Sequence, residues 1–217
     1  MGPLALLLAD GRLPTGAHAH SGGAGWAIGE RLVTDEVDLE RWCRERLRTV
    51  GAVDAAATVW VRCRWPDVDL VQVDAELSAR AAGPGAMSTS RRLGRGWRRL
   101  ADAVAPGALD GLPKDAHRVV VLGALAAVLD MAADEVAAVV IHDLVAEACT
   151  AAVRLLGLDP QQVTAVQVRL ADAQRAVIAD AIAAAAGSIA DLPCPTSPLV
   201  ELAIEGGVVA PERLFAS

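Results

Sequence analysis

The side chains most able to do chemistry stand together near the N-terminus. His18 and His20 form a His-x-His pair, whose imidazoles suit metals such as nickel, and Ser21 follows as a candidate nucleophile. A metal site needs three or four ligands, and no further His, Cys or acidic cluster is close in the sequence. The nucleophile elbow of serine hydrolases has Gly two residues before Ser, where this chain has Ala19. We therefore predict neither metal ligands nor catalytic residues, and we keep a hydrolase using His18, His20 and Ser21 as an alternative.

Other signatures of cofactor chemistry are incomplete. The chain has no P-loop, and Gly23 and Gly25 begin a dinucleotide-binding pattern in which Ile28 replaces the third glycine. Four cysteines are far apart and form no C-x-x-C pair: Cys43, Cys63, Cys149 and Cys194. In a cytosolic chain we predict such cysteines to be small buried apolar residues, not disulfides or zinc ligands. We expect no bound cofactor.

The composition predicts a soluble protein with surface for partners. Of 217 residues, 53% are hydrophobic but only 3% aromatic, so the core is built from Ala, Val and Leu, and the mean hydropathy of +0.37 indicates surface reserved for proteins. The longest strongly apolar run, 119–129, is shorter than the roughly 20 residues that cross a bilayer, which predicts a cytoplasmic protein without a membrane span. The net charge of −7 argues against nucleic acid as a partner, so we interpret the basic patch at 91–99 as a solvated helix face.

Helical spacing and capping residues predict an all-α fold. We expect a single domain over 1–217, arranged as a bundle of roughly eight to ten helices. The glycine-rich segment 10–25 is predicted to be a structured loop. The first long helix is expected to begin at the N-cap Asp38 and to end near Gly51, followed by a helix from Asp54 to Arg64.

The middle of the chain contains one ambiguous segment. A third helix starting near Leu70 is expected to close at Gly83-Pro84-Gly85, and a fourth to stop at Pro106, before a linker over 106–115 that we do not expect to separate domains. The apolar run His117–Met131 fits a buried strand or a buried helix, and its length favours the helix.

The last third of the chain carries the clearest helix signals. Asp134 is expected to cap a helix that reaches Leu156, and Asp159-Pro160 is an N-cap and N1 pair that opens a helix continuing to Gly187. A last helix is expected to start at Ser197-Pro198 and to stop at Gly206-Gly207, leaving a flexible tail over 208–217.

Five segments in a constant order resemble the urease accessory protein UreF family. The N-terminal segment contains Leu-Pro-Thr-Gly at 13–16 and Ala-His-Ser-Gly-Gly at 19–23. The other four are Ser-Arg-x-x-Gly at 90–94, His117 before an apolar helix with Gly123, Ala-Val-Arg-Leu at 152–155, and Arg-Leu-Phe at 213–215. The chain departs from the family pattern at these positions: His18, Ala24-Gly25, Gly157 and the region of Glu205.

The resemblance implies an all-helical accessory protein that forms a homodimer and binds UreD, also called UreH. Through that complex it would recruit the GTPase UreG and deliver nickel to the apo-urease subunits. UreG would supply the nucleotide and nickel chemistry, so this chain is not expected to be an enzyme. On this resemblance we assign partner binding to the following residues: Leu13, Pro14, Thr15, Gly16, His20, Ser21, Arg91, Arg154, Arg213, Leu214 and Phe215. Loop 10–25 equally fits plain packing on the core, and a helical regulator unrelated to urease stays open as a second alternative.

Overall fold

Eleven α-helices and no strand occur among the residues that the computed structural model describes, 2–16 and 20–209. The helices are α1 (Pro3–Leu8), α2 (Ala24–Gly29), α3 (Glu36–Arg46), α4 (Ala52–Arg64), α5 (Leu70–Arg80), α6 (Pro84–Val104), α7 (Arg118–Val128), α8 (Ala133–Leu156), α9 (Pro160–Arg169), α10 (Ala171–Ala184) and α11 (Pro198–Val209). A π-helical turn, Leu47–Gly51, joins α3 to α4, and a 3-10 turn lies at Ile189–Asp191. The prediction of an all-α bundle is confirmed.

Helix α8 is the centre of the bundle. It contacts α1, α2, α3, α4, α9 and α10, and its buried apolar side chains extend from Val136 to Ala152. By length and hydropathy alone, α8 is the one helix in the described part of the chain that could cross a membrane, and 61% of its apolar window is buried inside the fold. A helix surrounded in this way by other helices has the contacts of a protein core.

The chain runs as one helical rod from α3 through the π-helical turn into α4. Helix α3 begins after Asp35, whose carboxylate accepts hydrogen bonds from the backbone N–H groups of Val37 and Asp38, both at 2.9 Å. The prediction that Asp38 is the N-cap is wrong, because Asp35 has the extended backbone that capping requires and Asp38 is already helical. Gly51 does not end the helix either, since the π-helical turn carries the helical backbone through it into α4.

The segment Gly83-Pro84-Gly85 starts α6, whereas the sequence predicted that it closes the preceding helix. Pro84 occupies the first helical position, where its missing N–H costs nothing. The carboxylate of Glu205 in α11 accepts hydrogen bonds from the N–H groups of Gly85 at 2.9 Å and Ala86 at 2.8 Å. A distant side chain therefore caps α6, and α11 is tied to the start of that helix.

Gly206 and Gly207 lie inside α11 and do not stop it. A Cβ atom on Gly206 would be 2.5 Å from Nε1 of Trp26, so the missing side chain makes room for the indole of α2. Gly23, the N-cap of α2, faces the same helix, because a Cβ there would be 3.0 Å from the backbone nitrogen of Ile204. Close packing of α2 on α11 is the physical reason why these glycines do not act as helix breakers.

The remaining helix predictions are confirmed in part. The run after His117 is the buried helix α7, and the Asp159-Pro160 pair opens α9, with the Asp159 carboxylate accepting from the N–H of Gln161 at 2.9 Å. The helix predicted to continue to Gly187 is divided at Leu170, whose side chain is fully buried at the bend between α9 and α10. The bend lets α9 pack on α3 while α10 packs on α4.

The start of α8 and the linker over 106–115 are the last two boundaries that the sequence predicted. Ala132, not Asp134, is the N-cap of α8, and Asp134 lies in its first turn. The linker over 106–115 folds into turns whose Leu109 and Leu112 are buried in the common core. Both leucines belong to the same buried cluster as Trp97 of α6 and Val119 of α7.

We predict that the contact between α4 and α7 does not tolerate a methyl group on Gly123. Its Cβ would be 2.6 Å from the carbonyl oxygen of Thr58 and 2.9 Å from Cβ of Val61. Gly123→Ala should lower the free energy of unfolding by roughly 1–3 kcal/mol in urea denaturation, the usual cost of overpacking, although Ala favours helices. Gly29→Ala is the matched control, because no atom lies within 4 Å of its Cβ position. Equal stability of the two variants would contradict the packing argument.

Candidate functional site

The segment 13–16 of the glycine-rich loop is folded against the middle of α6. Thr15 is buried, and its carbonyl oxygen would be 1.9 Å from a Cβ atom on Gly96. Leu13 packs against the core, Pro14 is exposed, and Gly16 has the left-handed φ of 86°. This part of the loop therefore both covers the core and presents an accessible Pro14.

The next part of the loop places Ser21 and His20 in structural contacts. The hydroxyl of Ser21 accepts a hydrogen bond from the N–H of Gly25 at 3.0 Å in the first turn of α2. Nδ1 of His20 lies 3.3 Å from Nη2 of Arg92 in α6. Gly22 packs directly against the guanidinium of Arg46: a Cβ atom on Gly22 would be only 1.9 Å from Nη2 of Arg46. His18 lies outside the described residues, so the His-x-His pair is not placed as a unit.

A cavity of about 610 Å³ opens beside this loop, between α2, α6, α7, α11 and the π-helical turn. Loop residues His20 and Gly22 line it on one side, and Val200 and Ile204 of α11 on another. Both charged and apolar side chains reach the wall, which is typical of ligand and partner sites. The loop, the Ser-Arg segment of α6 and the last helix therefore meet at one place, although they are far apart in sequence.

The floor of the cavity is a buried network of charges. Nη2 of Arg118 in α7 donates to the carboxylate of Asp54 in α4 at 2.8 Å, and its Nη1 is 3.7 Å from Glu147 in α8. Arg46 donates to the same Glu147 at 3.2 Å and to the carbonyl oxygen of Leu144 at 2.7 Å. Burial alone would lower the pKa of Arg118, yet the carboxylates of Asp54 and Glu147 raise it above its ordinary value. Arg118 is therefore charged, and both arginines contact the carboxylate of Glu147.

One carboxyl group beside this network is poorly solvated. Burial raises the pKa of Asp143 to about 7, against the opposing attraction of Arg118, and the neighbouring Glu147 raises it further. Asp143 and Glu147 are one turn apart on α8. Asp143 therefore titrates close to neutral pH.

A second polar cluster joins two segments that the sequence singled out separately. Nδ1 of His117 is 3.1 Å from the hydroxyl of Ser90, and that hydroxyl accepts a hydrogen bond from the N–H of Arg118 at 3.3 Å. Arg91 donates to the carboxylate of Asp74 and to the carbonyl oxygen of Asp115, both at 2.9 Å. The Arg91 guanidinium lowers the pKa of Asp74, and burial lowers the pKa of His117, which keeps its ring neutral at pH 7. The cluster fixes the start of α7 on α6.

Of the remaining predicted positions, Arg154 is not among the residues that line the cavity. Arg154 is exposed in the last turn of α8, which ends at the left-handed Gly157, and Arg213, Leu214 and Phe215 lie outside the described residues. Within the described chain no group of three His, Cys, Asp or Glu side chains could hold a metal ion. The prediction that all four cysteines are buried is wrong for two of them, because Cys63 and Cys194 are exposed.

Comparison with known proteins decides the family. The family model described as UreF matches residues 33–171. A urease accessory protein UreF of Mycolicibacterium vanbaalenii is 37% identical over 214 residues, covering 98% of this chain and 97% of the relative. A protein of the same name from Mycobacterium marinum is 36% identical, and the match covers 98% of this chain and 97% of the relative. A third, from Mycobacterium tuberculosis, is 37% identical, and the match covers 88% of this chain and 88% of the relative. The chain belongs to the UreF family.

UreF is a family of accessory proteins and not a family of enzymes. The hydroxyl of Ser21 accepts a hydrogen bond from the N–H of Gly25 in the first turn of α2, and the hydroxyl of Ser90 accepts one from the N–H of Arg118 at the start of α7. A hydroxyl that holds a helix start in this way serves the fold.

The charged floor of this UreF cavity was missed from the sequence. Arg46, Asp54, Arg118 and Glu147 are separated by up to 101 residues, and no motif joins them. The sequence did contain a signal that two of these residues are buried. Arg118 precedes the most apolar run of the chain, and Glu147 interrupts another apolar run. Charged residues inside apolar helical runs are rarely buried without a partner. Their partners, however, depend on how the helices pack.

The raised pKa of Asp143 predicts a characteristic pH dependence. The folded protein holds an extra proton between about pH 4, where the unfolded carboxyl titrates, and pH 7. The stabilisation from that proton is complete below pH 4 and is lost as the pH rises through 7. Compared with Asp143→Asn, the wild type should therefore lose roughly 1–3 kcal/mol of unfolding free energy between pH 5 and pH 8 in urea denaturation.

The matched control for this prediction is Asp180→Asn, which changes an exposed carboxyl group on α10. Its unfolding free energy should follow the wild-type pH profile. Parallel profiles of the wild type and Asp143→Asn would show that Asp143 is already ionised in the folded protein.

Proposed function

We propose that the chain is a urease accessory protein that acts by holding partners together during nickel insertion. It binds UreD (also called UreH), recruits the GTPase UreG to that complex, and acts on the apo-urease subunits in the cytoplasm as a homodimer. The observation that carries the proposal is the 37% identity to a urease accessory protein over 98% of this chain. Nickel is the cargo of the assembly, and this chain contributes contacts and not a reaction.

The polar groups near the cavity support a scaffold role. Arg46 and Arg118 both pair with Glu147, Arg118 also pairs with Asp54, and Arg91 is paired with Asp74 and Asp115. Networks of this kind keep helices in one arrangement, which is what a partner surface requires. Of the residues assigned to partner binding, Pro14 and Arg154 are exposed and are available to a partner directly. Thr15 and Arg91 act by shaping the surface.

The C-terminal tail is proposed to be a main contact with UreD. Phe215 is the only phenylalanine of the chain, and Leu214 precedes it, with Arg213 adding a charge. Burying each apolar side chain in a partner is worth about 1.5–3 kcal/mol, whereas ordering the backbone costs about 1–2 kcal/mol per residue. Only a well-formed pocket therefore holds such a tail.

Deletion of residues 211–217 tests the tail. The truncated chain should keep its helical content by circular dichroism and its thermal stability, while co-purification with UreD collapses. Arg213→Ala serves as a comparison, since it should weaken binding less than Leu214→Ala combined with Phe215→Ala. A truncated chain that melts several degrees lower and still binds UreD would place the tail in this protein's own core.

Urease activation in cells tests the function as a whole. Cells with the urease genes but without this gene should contain little active urease at low nickel, and reintroducing the gene should restore activity. Purified chain should hydrolyse neither GTP nor activated esters, since the nucleotide chemistry belongs to UreG. Full urease activity without the gene at every nickel concentration, or ester hydrolysis abolished by Ser21→Ala, would overturn the proposal.

A further inference from the structure

Three arginines form a stripe along the exposed face of α6. Arg92, Arg95 and Arg99 are all exposed and follow one another at spacings of three and four residues, so they share one side of the helix. Their Cα atoms span about 10 Å along the helix axis. We call this set the arginine stripe.

Two members of the arginine stripe, Arg95 and Arg99, differ from the other arginines of α6 in their pairing, whereas Nη2 of Arg92 lies 3.3 Å from Nδ1 of His20. Arg91 pairs with Asp74 and Asp115, and Arg98 pairs with Asp102 at 3.2 Å and Asp110 at 3.8 Å. The side chains of Arg95 and Arg99 make no hydrogen bond or ion pair with any residue of the described ranges. The chain has 27 acidic residues and only 20 basic ones, so two arginines one helical turn apart without a carboxylate partner in the described ranges are a distinct feature.

The helix that carries the arginine stripe packs closely on its inner side. On its inner side a Cβ atom on Gly94 would be 2.1 Å from the carbonyl oxygen of Ala116, and one on Gly96 would be 1.9 Å from that of Thr15. Trp97 between the stripe members is buried, with 1% of its surface exposed. Backbone contacts this close fix the position of α6, so the three arginines start from a defined spacing along one face of the helix.

We propose that the arginine stripe is a docking surface for an acidic segment of a partner protein, with carboxylates at helical spacing. Arginine is suited to this because its planar guanidinium binds a carboxylate through two parallel hydrogen bonds. A helix with Glu at positions i, i+3 and i+7 repeats the spacing of Arg92, Arg95 and Arg99. The surface would add electrostatic attraction and a defined register to the complex.

The surroundings of the stripe favour a protein over a nucleic acid. Asp102, Asp110 and Asp115 pair with arginines one residue away from stripe members, so carboxylates flank the stripe on the same helix and its adjoining loop. Nucleic-acid binding gains its affinity from many phosphate contacts over an extended basic surface. Three arginines between acidic neighbours fit a compact cluster of carboxylates instead.

This inference goes beyond the proposed function, because it does not depend on which protein carries the acidic segment. The test uses a fluorescent helical peptide with Glu at i, i+3 and i+7, and measures its binding to the full chain by anisotropy at low ionic strength. A peptide of the same composition with its glutamates spread around the helix and a twelve-nucleotide oligo-dT are the comparison probes. We expect the striped peptide to bind more tightly than either.

Charge reversal identifies the surface. Arg95→Glu combined with Arg99→Glu should weaken binding of the striped peptide by roughly tenfold or more, since exposed ion pairs are lost and repulsion replaces them. Arg31→Glu combined with Arg48→Glu is the matched control, because both residues are exposed and the net charge changes equally. The control should bind within about twofold of the wild type. The milder pair Arg95→Gln and Arg99→Gln gives an intermediate loss and guards against misfolding.

Three results would overturn the inference. The first is a wild type that does not bind the striped peptide or does not distinguish it from the spread peptide. The second is an equal loss in the control pair, which would show a response to net charge alone. The third is tighter binding of oligo-dT than of the striped peptide, which would assign the stripe to phosphates. Urease activation in cells is a separate measurement, so a failure there does not decide this test.

Discussion

The arrangement of helices around the cavity depends on one buried carboxylate, that of Glu147. It accepts Arg46 from the end of α3 and lies beside Arg118 of α7, while Arg118 also binds Asp54 of α4. Four separate elements are therefore joined by charges that have little access to water. Buried ion pairs contribute little net stability when compared with apolar residues, but removing one partner leaves a stranded charge at a cost of about 3–5 kcal/mol. The network consequently specifies which helices meet more than it raises stability.

Close approach of helices has the same importance, because the chain has few aromatic side chains to fill space. With only 3% aromatic residues, the bundle is closed by bringing backbones together at glycines. Carbonyl groups pack directly against Gly94 and Gly96, helix α4 packs against Gly123, and the indole of Trp26 packs against Gly206. Glycines at such points allow dense packing, and a single added methyl group then lowers the free energy of unfolding. The loop with the Leu-Pro-Thr-Gly sequence is part of this packing, which explains how it can shape a surface while covering the core.

Local signals in the sequence predicted the fold class well, since capping and apolar spacing act within a few residues. The Asp159-Pro160 pair was interpreted correctly, and the length of the run after His117 correctly favoured a helix. The wrong helix ends predicted at glycines have a common cause. Gly51 and Gly206 were expected to end helices, yet each lies in a helix that tertiary packing preserves. Helix propensity is a weak preference that a buried contact readily overrides.

The sequence by itself determined that this chain is helical, and its ordered motifs indicated the UreF family. Those properties depend on neighbouring residues and on the order of segments, both of which are visible in one dimension. Only the tertiary structure decided which polar groups meet, such as Ser90 with His117 and Arg118 with Asp54. It also decided which arginines of the basic patch have no carboxylate partner among the described residues, because a charge finds its partner across the packed helices and not along the chain. Burial and pairing follow from distances in space, and the spacing of residues in the sequence does not contain them.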